Sequence, residues 1–107
     1  MSRESLGHFE LLVLLAVLGQ GDEAYGVPIA NAIAHSTGKK VILASVYNTL
    51  ERLEEKGLVR STVGQPTPER GGRAKRYFSM TAAGMREVRA AKKALTVLWR
   101  GVPVHEG

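Results

Sequence analysis

Residues 5–19, SLGHFELLVLLAVLG, are strong helix formers closed by a glycine, and they are apolar on nearly every side. Ser5 stands where it can cap the start of this helix. A helix with no broad polar face must be covered from more than one direction. The chain has 107 residues, the size of one domain with a single modest core. The cover has to come from the other elements, and a second copy of the chain could supply stability that one copy lacks. Residues 9–18 are too few to cross a bilayer, and acids stand close by on both sides. The basic flank and cleavage pattern of a secretion signal are missing, so the expected setting is the cytoplasm.

The rest of the chain reads as a short series of elements. GVPIANAIAHST (26–37) is a second helix with Pro28 in its first turn, where a missing N–H costs little, and Gly38 ends it. ASVYNTLERLEEK (44–56) is a third, stopped by Gly57, with Val46, Leu50 and Leu53 on its buried face. The period then changes. LVRSTV (58–63) and AKRYFSM (74–80) read as strands around the loop GQPTPERGGR. Thr81 can cap a last helix, 82–100, whose apolar positions are Met85, Val88, Ala91, Leu95 and Leu98. That stripe is too short for an independent coiled coil and needs further contacts, such as the apolar first helix.

Charge is placed unevenly along this order. The chain carries a net +5, yet residues 60–76 hold +4, residues 86–100 another +4, and the remainder is negative. A basic segment in an otherwise acidic chain suggests an anionic partner on one side. For the second cluster, lysines and arginines on a solvated helix are the plainer reading. Cysteine is absent, which removes disulfides, thiolate metal sites and cysteine nucleophiles.

Two helices joined by a short turn, followed by a hairpin and a last helix, make a mainly α fold with a small β-hairpin: a winged helix-turn-helix plus a C-terminal helix, to which the family resemblance given below assigns dimerisation. The expected division is a DNA-binding domain over 1–80 and a dimerisation helix with a short tail over 81–107. The major groove is about as wide as one helix, so only the leading residues of the third helix reach base edges. Ala44, Ser45, Tyr47 and Asn48 occupy that end, with Arg52 a turn further on, and Glu51, Glu54 and Glu55 gather in the later half. The wing carries Arg70, Arg73, Lys75 and Arg76 around Gly71 and Gly72. Glycines let backbone approach a phosphate closely and arginine forks match its oxygens. The wing is expected on the DNA backbone or in the minor groove, with Pro66 and Pro68 stiffening its approach. Lys39 and Lys40, before the third helix, add phosphate contacts.

These residues also carry a family likeness. Tyr25-Gly26, then Ser45-Val46-Tyr47 with residues 50–59 (LERLEEKGLV), and then residues 71–84 (GGRAKRYFSMTAAG), stand in an order and spacing that resemble PadR-type regulators over roughly residues 6–85. The resemblance implies a winged-helix homodimer, a repressor, and dimerisation through the first and last helices. It places Tyr47 on a phosphate and Arg73, Lys75 and Arg76 in the basic wing strand. Where the family often has a polar cap before the recognition helix, this chain has Ile42-Leu43. The expected dimer contacts are Phe9 and Leu12 with Met85, Val88, Leu95, Leu98 and Trp99. In some relatives an aromatic on the last helix lines a cavity for flat ligands between subunits. Trp99 sits about a turn beyond that place, so it either fills the interface or lines a site for a small apolar effector.

Other chemistry finds little support. His8, His35 and His105 show no ligand spacing, no residue set forms a catalytic constellation, and no cofactor motif is present. The chain reads as a non-enzymatic regulator that binds a palindrome in duplex DNA. The rival reading is a winged-helix protein-interaction module, which would show exposed apolar residues at the helix tip instead of a basic wing.

Overall fold

Three glycines with positive φ punctuate the helical part of the chain in the computed structural model, which describes residues 6–64 and 75–103. The first helix, α1 (His8–Gln20), runs past Gly19 and turns at Gly21, where φ is 57°. Within the described residues its N-cap is Gly7, whose N–H donates to Glu10 Oε1 at 2.9 Å. Ser5 lies outside them. A single 3-10 turn, Gly21–Glu23, leads into α2 (Gly26–Thr37), which stops at left-handed Gly38. The third helix, α3 (Leu43–Glu55), begins one residue earlier than its sequence suggests, and Gly57 ends it with φ 77°.

Strands β1 (Val59–Val63) and β2 (Arg76–Met80) pair antiparallel, from Val59 opposite Met80 to Val63 opposite Arg76. Phe78 N–H donates to Ala24 O at 2.8 Å, which stitches the hairpin to the segment before α2. The last helix, α4 (Ala82–Arg100), spans the expected residues. Its Thr81 cap accepts from Gly84 N–H at 3.0 Å. The order and pairing are those of a winged helix-turn-helix followed by one further helix.

The core explains this arrangement. Val13, Leu14 and Val17 of α1 meet Ile29 and Ile33 of α2 and Val46, Leu50 and Leu53 of α3, and the hairpin closes them with Val59 and Phe78. The helical period on α3 is thus the buried face that its sequence indicates, with Thr49 buried beside it. Thr49 Oγ1 is satisfied by Arg52 Nη2 at 3.2 Å. One side of α1 stays open: Leu15 and Leu18 are exposed, and Leu11 and Leu15 border an apolar groove shared with Val88, Lys92, Leu95 and Thr96 of α4.

Glu10 is the one acid on α1 and is buried, its side chain 10% exposed. Lys56 Nζ reaches it at 2.9 Å from the end of α3, and Arg52 Nε lies 3.8 Å away. Burial opposes the charge most strongly, but the Gly7 N–H, the Lys56 ammonium and the Arg52 guanidinium together hold its carboxyl below the usual carboxylate range. A depressed folded pKa gives stability that is present above the unfolded value and is lost as pH falls through the folded one. Glu10→Gln is therefore expected to cost about 1 kcal/mol at neutral pH, since Lys56 is partly solvated. Urea midpoints of parent and variant should converge in acid. Curves that stay equally separated at both pH values would contradict the assignment.

Candidate nucleic-acid interface

Opposite the buried face of α3, Ala44, Ser45 and Asn48 are all exposed. The N-cap residue is Ile42, extended and without a side-chain acceptor, so the first turn is held through Ile42 O, which accepts from Ser45 and Val46 N–H at 3.0 and 3.3 Å. Ile42 and Leu43 are both exposed at this tip. Sequence reasoning noticed them only as a missing cap. Their exposure adds apolar surface to the leading end, where a thymine methyl is the natural contact in a major groove.

Tyr47 fixes how close α2 and α3 lie. A Cβ built on Gly26 would fall 2.3 Å from both Tyr47 Cζ and Oη, so the ring lies directly against the start of α2. The glycine before α2 and the tyrosine on α3 are one packing unit, which the sequence shows only as two separated motifs. On the other flank, Tyr25 meets Tyr77 edge-on, with centroids 5.4 Å apart. Lys75 Nζ stands 4.6 Å from the Tyr25 ring centre. Lys75 Nζ donates to Tyr25 Oη at 3.5 Å, which raises the Lys75 pKa. Lys75 is thereby held at the base of the wing beside the N-terminus of α2.

The remaining predicted contacts divide clearly. Lys39 and Lys40 are exposed in the turn between α2 and α3. Arg52 points back across its own helix to Thr49 and Glu10. Arg76 turns inwards to Glu51, Glu54 and Ser61. Arg70, Gly72 and Arg73 lie outside the described residues, as do Pro66 and Pro68.

For the expected dimer contacts, Leu95, Leu98 and Trp99 are exposed on α4, Trp99 at 64%. Phe9 and Leu12 are partly buried against the protomer's own core, and Met85 is half-buried. Val88 is 6% exposed and belongs to that core. The exposed apolar residues of α1 are Leu15 and Leu18, with Leu11 partly buried beside them. Their spacing of four and three residues was readable, but an all-apolar helix offers no polar face against which to phase it.

The sequence matches the transcriptional regulator PadR-like family over residues 14–90. The chain belongs to the PadR family. Solved structures agree. A PadR family regulator from Eggerthella lenta is 30% identical, with a TM-score of 0.63, over 84% of this chain and 76% of that one. One from Clostridium difficile is 20% identical, with a TM-score of 0.71 and coverage of 88% and 93%. A PadR-like regulator from Bacillus cereus is 18% identical, with a TM-score of 0.70 and coverage of 87% and 85%. At those lower identities the likeness is one of fold. No curated protein sequence matches the chain. A PadR-like transcriptional regulator acts on DNA, and the family is one of regulators, not enzymes. Among the described residues, no helix is long and apolar enough to cross a membrane.

Proposed function

We propose that this PadR-like regulator binds a palindromic duplex operator as a homodimer and represses from it. The two copies of α3 would enter successive major grooves about 34 Å apart. The observation that carries this reading is the uncharged, exposed tip of α3, Ala44, Ser45 and Asn48, with exposed Lys39 and Lys40 in the turn before it and Lys75 held against Tyr25 at the start of α2. Asn48 is suited to adenine, and the lysines, with the wing cations Arg70 and Arg73, to phosphates. The open faces of α1 and α4 supply the dimer surface, so residues 81–107 serve assembly and 1–80 serve DNA. Repression follows where a bound dimer excludes polymerase from a promoter in the cytoplasm. An apolar effector in the groove between α1 and α4 would release the dimer by binding the two recognition-helix spacings unequally.

The test is selection of bound duplexes from a random pool, followed by anisotropy titration of the winner at two salt concentrations. A palindrome with steep salt dependence supports the reading. Lys39→Ala with Lys40→Ala is expected to weaken binding to every sequence and to lower the log–log salt slope by about 0.9 for each phosphate no longer neutralised. Asn48→Ala should instead relax preference at one base pair by about 1–3 kcal/mol. The reverse pattern would overturn this division of roles.

A second reading draws on exposed Ile42 and Leu43, which suit an apolar protein partner as well as a thymine methyl. Failure to enrich any duplex, even at low salt, would favour it.

A further inference from the structure

Arg76 follows the wing's other cations in sequence, yet its guanidinium is spent inside the protomer. Nε donates to Ser61 Oγ at 3.1 Å, Nη2 to Glu54 Oε1 at 2.5 Å, and Nη1 lies 3.5 Å from Glu51 Oε2. Ser61 Oγ donates in turn to Glu54 Oε2 at 2.8 Å, which closes a ring of Arg76, Ser61 and Glu54. The guanidinium carbon stands 5.0 Å from the Phe78 ring centre, so the side chain lies over the hairpin's buried aromatic. All three guanidinium nitrogens have partners, and the side chain is only 37% exposed.

The place of this ring in the fold gives it a task. Glu51 and Glu54 belong to α3, Ser61 to β1 and Arg76 to β2, so the ring fastens the recognition helix to both strands of the hairpin. Arg76 pairs with Val63 in the last register position of the ladder, where the chain leaves the sheet for the wing. A rotation there would tilt the described hairpin, β1 and β2, against α3. A planar fork with a closed hydrogen-bond ring resists such rotation in a way that a single flexible ammonium does not.

We propose that Arg76 is a positioning residue that sets the angle between the wing and the recognition helix, not a phosphate contact. The proposal rests on the DNA-binding reading above, because only a helix and a wing that must meet one duplex together need a fixed angle. It also gives Glu51 and Glu54 a use on a helix that approaches phosphates: they are the anchors for Arg76.

The test compares Arg76→Gln, Arg76→Lys and the double variant Glu51→Gln/Glu54→Gln in the full chain, with the duplex selected by the parent. Simple electrostatics predicts opposite signs, since the first loses a cation and the double variant loses two anions near DNA. Positioning predicts one sign. All three weaken operator binding by roughly tenfold, the effect of losing a charge-assisted hydrogen bond. All three also narrow the preference for operator over random duplex and keep the parent's salt slope. Arg76→Lys restores nothing, because it keeps the charge and loses the fork. Tighter binding by the double variant, or rescue by lysine with a slope that falls by about 0.9 in Arg76→Gln, would make Arg76 a phosphate ligand and end the proposal. Amide hydrogen exchange without DNA provides the separate readout. All three variants should speed exchange at Thr62, Gly64 and Tyr77, whose N–H groups face the partner strand, and unchanged exchange overturns the proposal even if the parent selects no duplex, an outcome that by itself would refute only DNA binding.

Discussion

Gly84→Ala is expected to lower stability by about 3 kcal/mol, the upper range for overpacking at a closed site. Helix propensity alone predicts the opposite sign, since alanine is better than glycine in a helix by about 1 kcal/mol. The steric term decides. A Cβ at residue 84 would lie 2.1 Å from Leu58 O, a backbone atom. That carbonyl accepts from Thr81 N–H at 3.1 Å, and Thr81 Oγ1 donates to Gly57 O at 2.6 Å, so it cannot retreat without undoing the junction. The start of α4 would have to lift from β1. At about 4–8 °C per kcal/mol for a domain of this size, the melting temperature should fall by roughly 12–24 °C. A melting temperature equal to or above the parent's would show that the helix start can shift without cost.

Gly26→Ala should spare most of the fold and damage operator binding. The new methyl would press on the Tyr47 ring, whose outer atoms lie 2.3 Å from its position. The ring end can move, which limits the loss of stability, but it must then leave its seat at the start of α2. A displaced Tyr47 would no longer reach the phosphate that the PadR resemblance implies for it. Loss of a charge-assisted hydrogen bond corresponds to about 1.5–3 kcal/mol, so affinity should fall by roughly 10- to 150-fold. A double-mutant cycle separates this from general damage. If Tyr47 is the route, Tyr47→Ala weakens the parent strongly and weakens the Gly26→Ala variant little. Additive losses would mean that the glycine acts elsewhere.

The fold was legible because its signals are local. Glycines 38 and 57 stop α2 and α3 as their positions suggest, Thr81 caps α4, and the change of period at residue 58 marks the hairpin. The end of α1 moved because Gly21, with positive φ, lies two residues beyond Gly19. The site was less legible because charge in a sequence carries no direction. Arg52 and Arg76 count as free cations until the acids that face them are known, and those acids come from other elements. Val88 shows the same limit for apolar residues: heptad spacing puts it on the inner stripe of α4 but does not say whether that stripe meets its own protomer or another. The open face of α1 was hidden for a related reason, since a helix apolar on all sides points nowhere in particular.

One carboxylate joins helices that have different duties. Glu10 belongs to α1 and holds Lys56 at the far end of α3, while the backbone at Gly7 is bound to the same group. Sliding of the recognition helix along its neighbour would break that attachment and leave the Glu10 carboxylate without its ammonium partner. The attachment therefore resists movement of the end of α3 against the start of α1. An effector of the kind proposed above, bound at the flank, would then act on DNA through a turn of the whole unit, much as the jaws of a caliper move without bending.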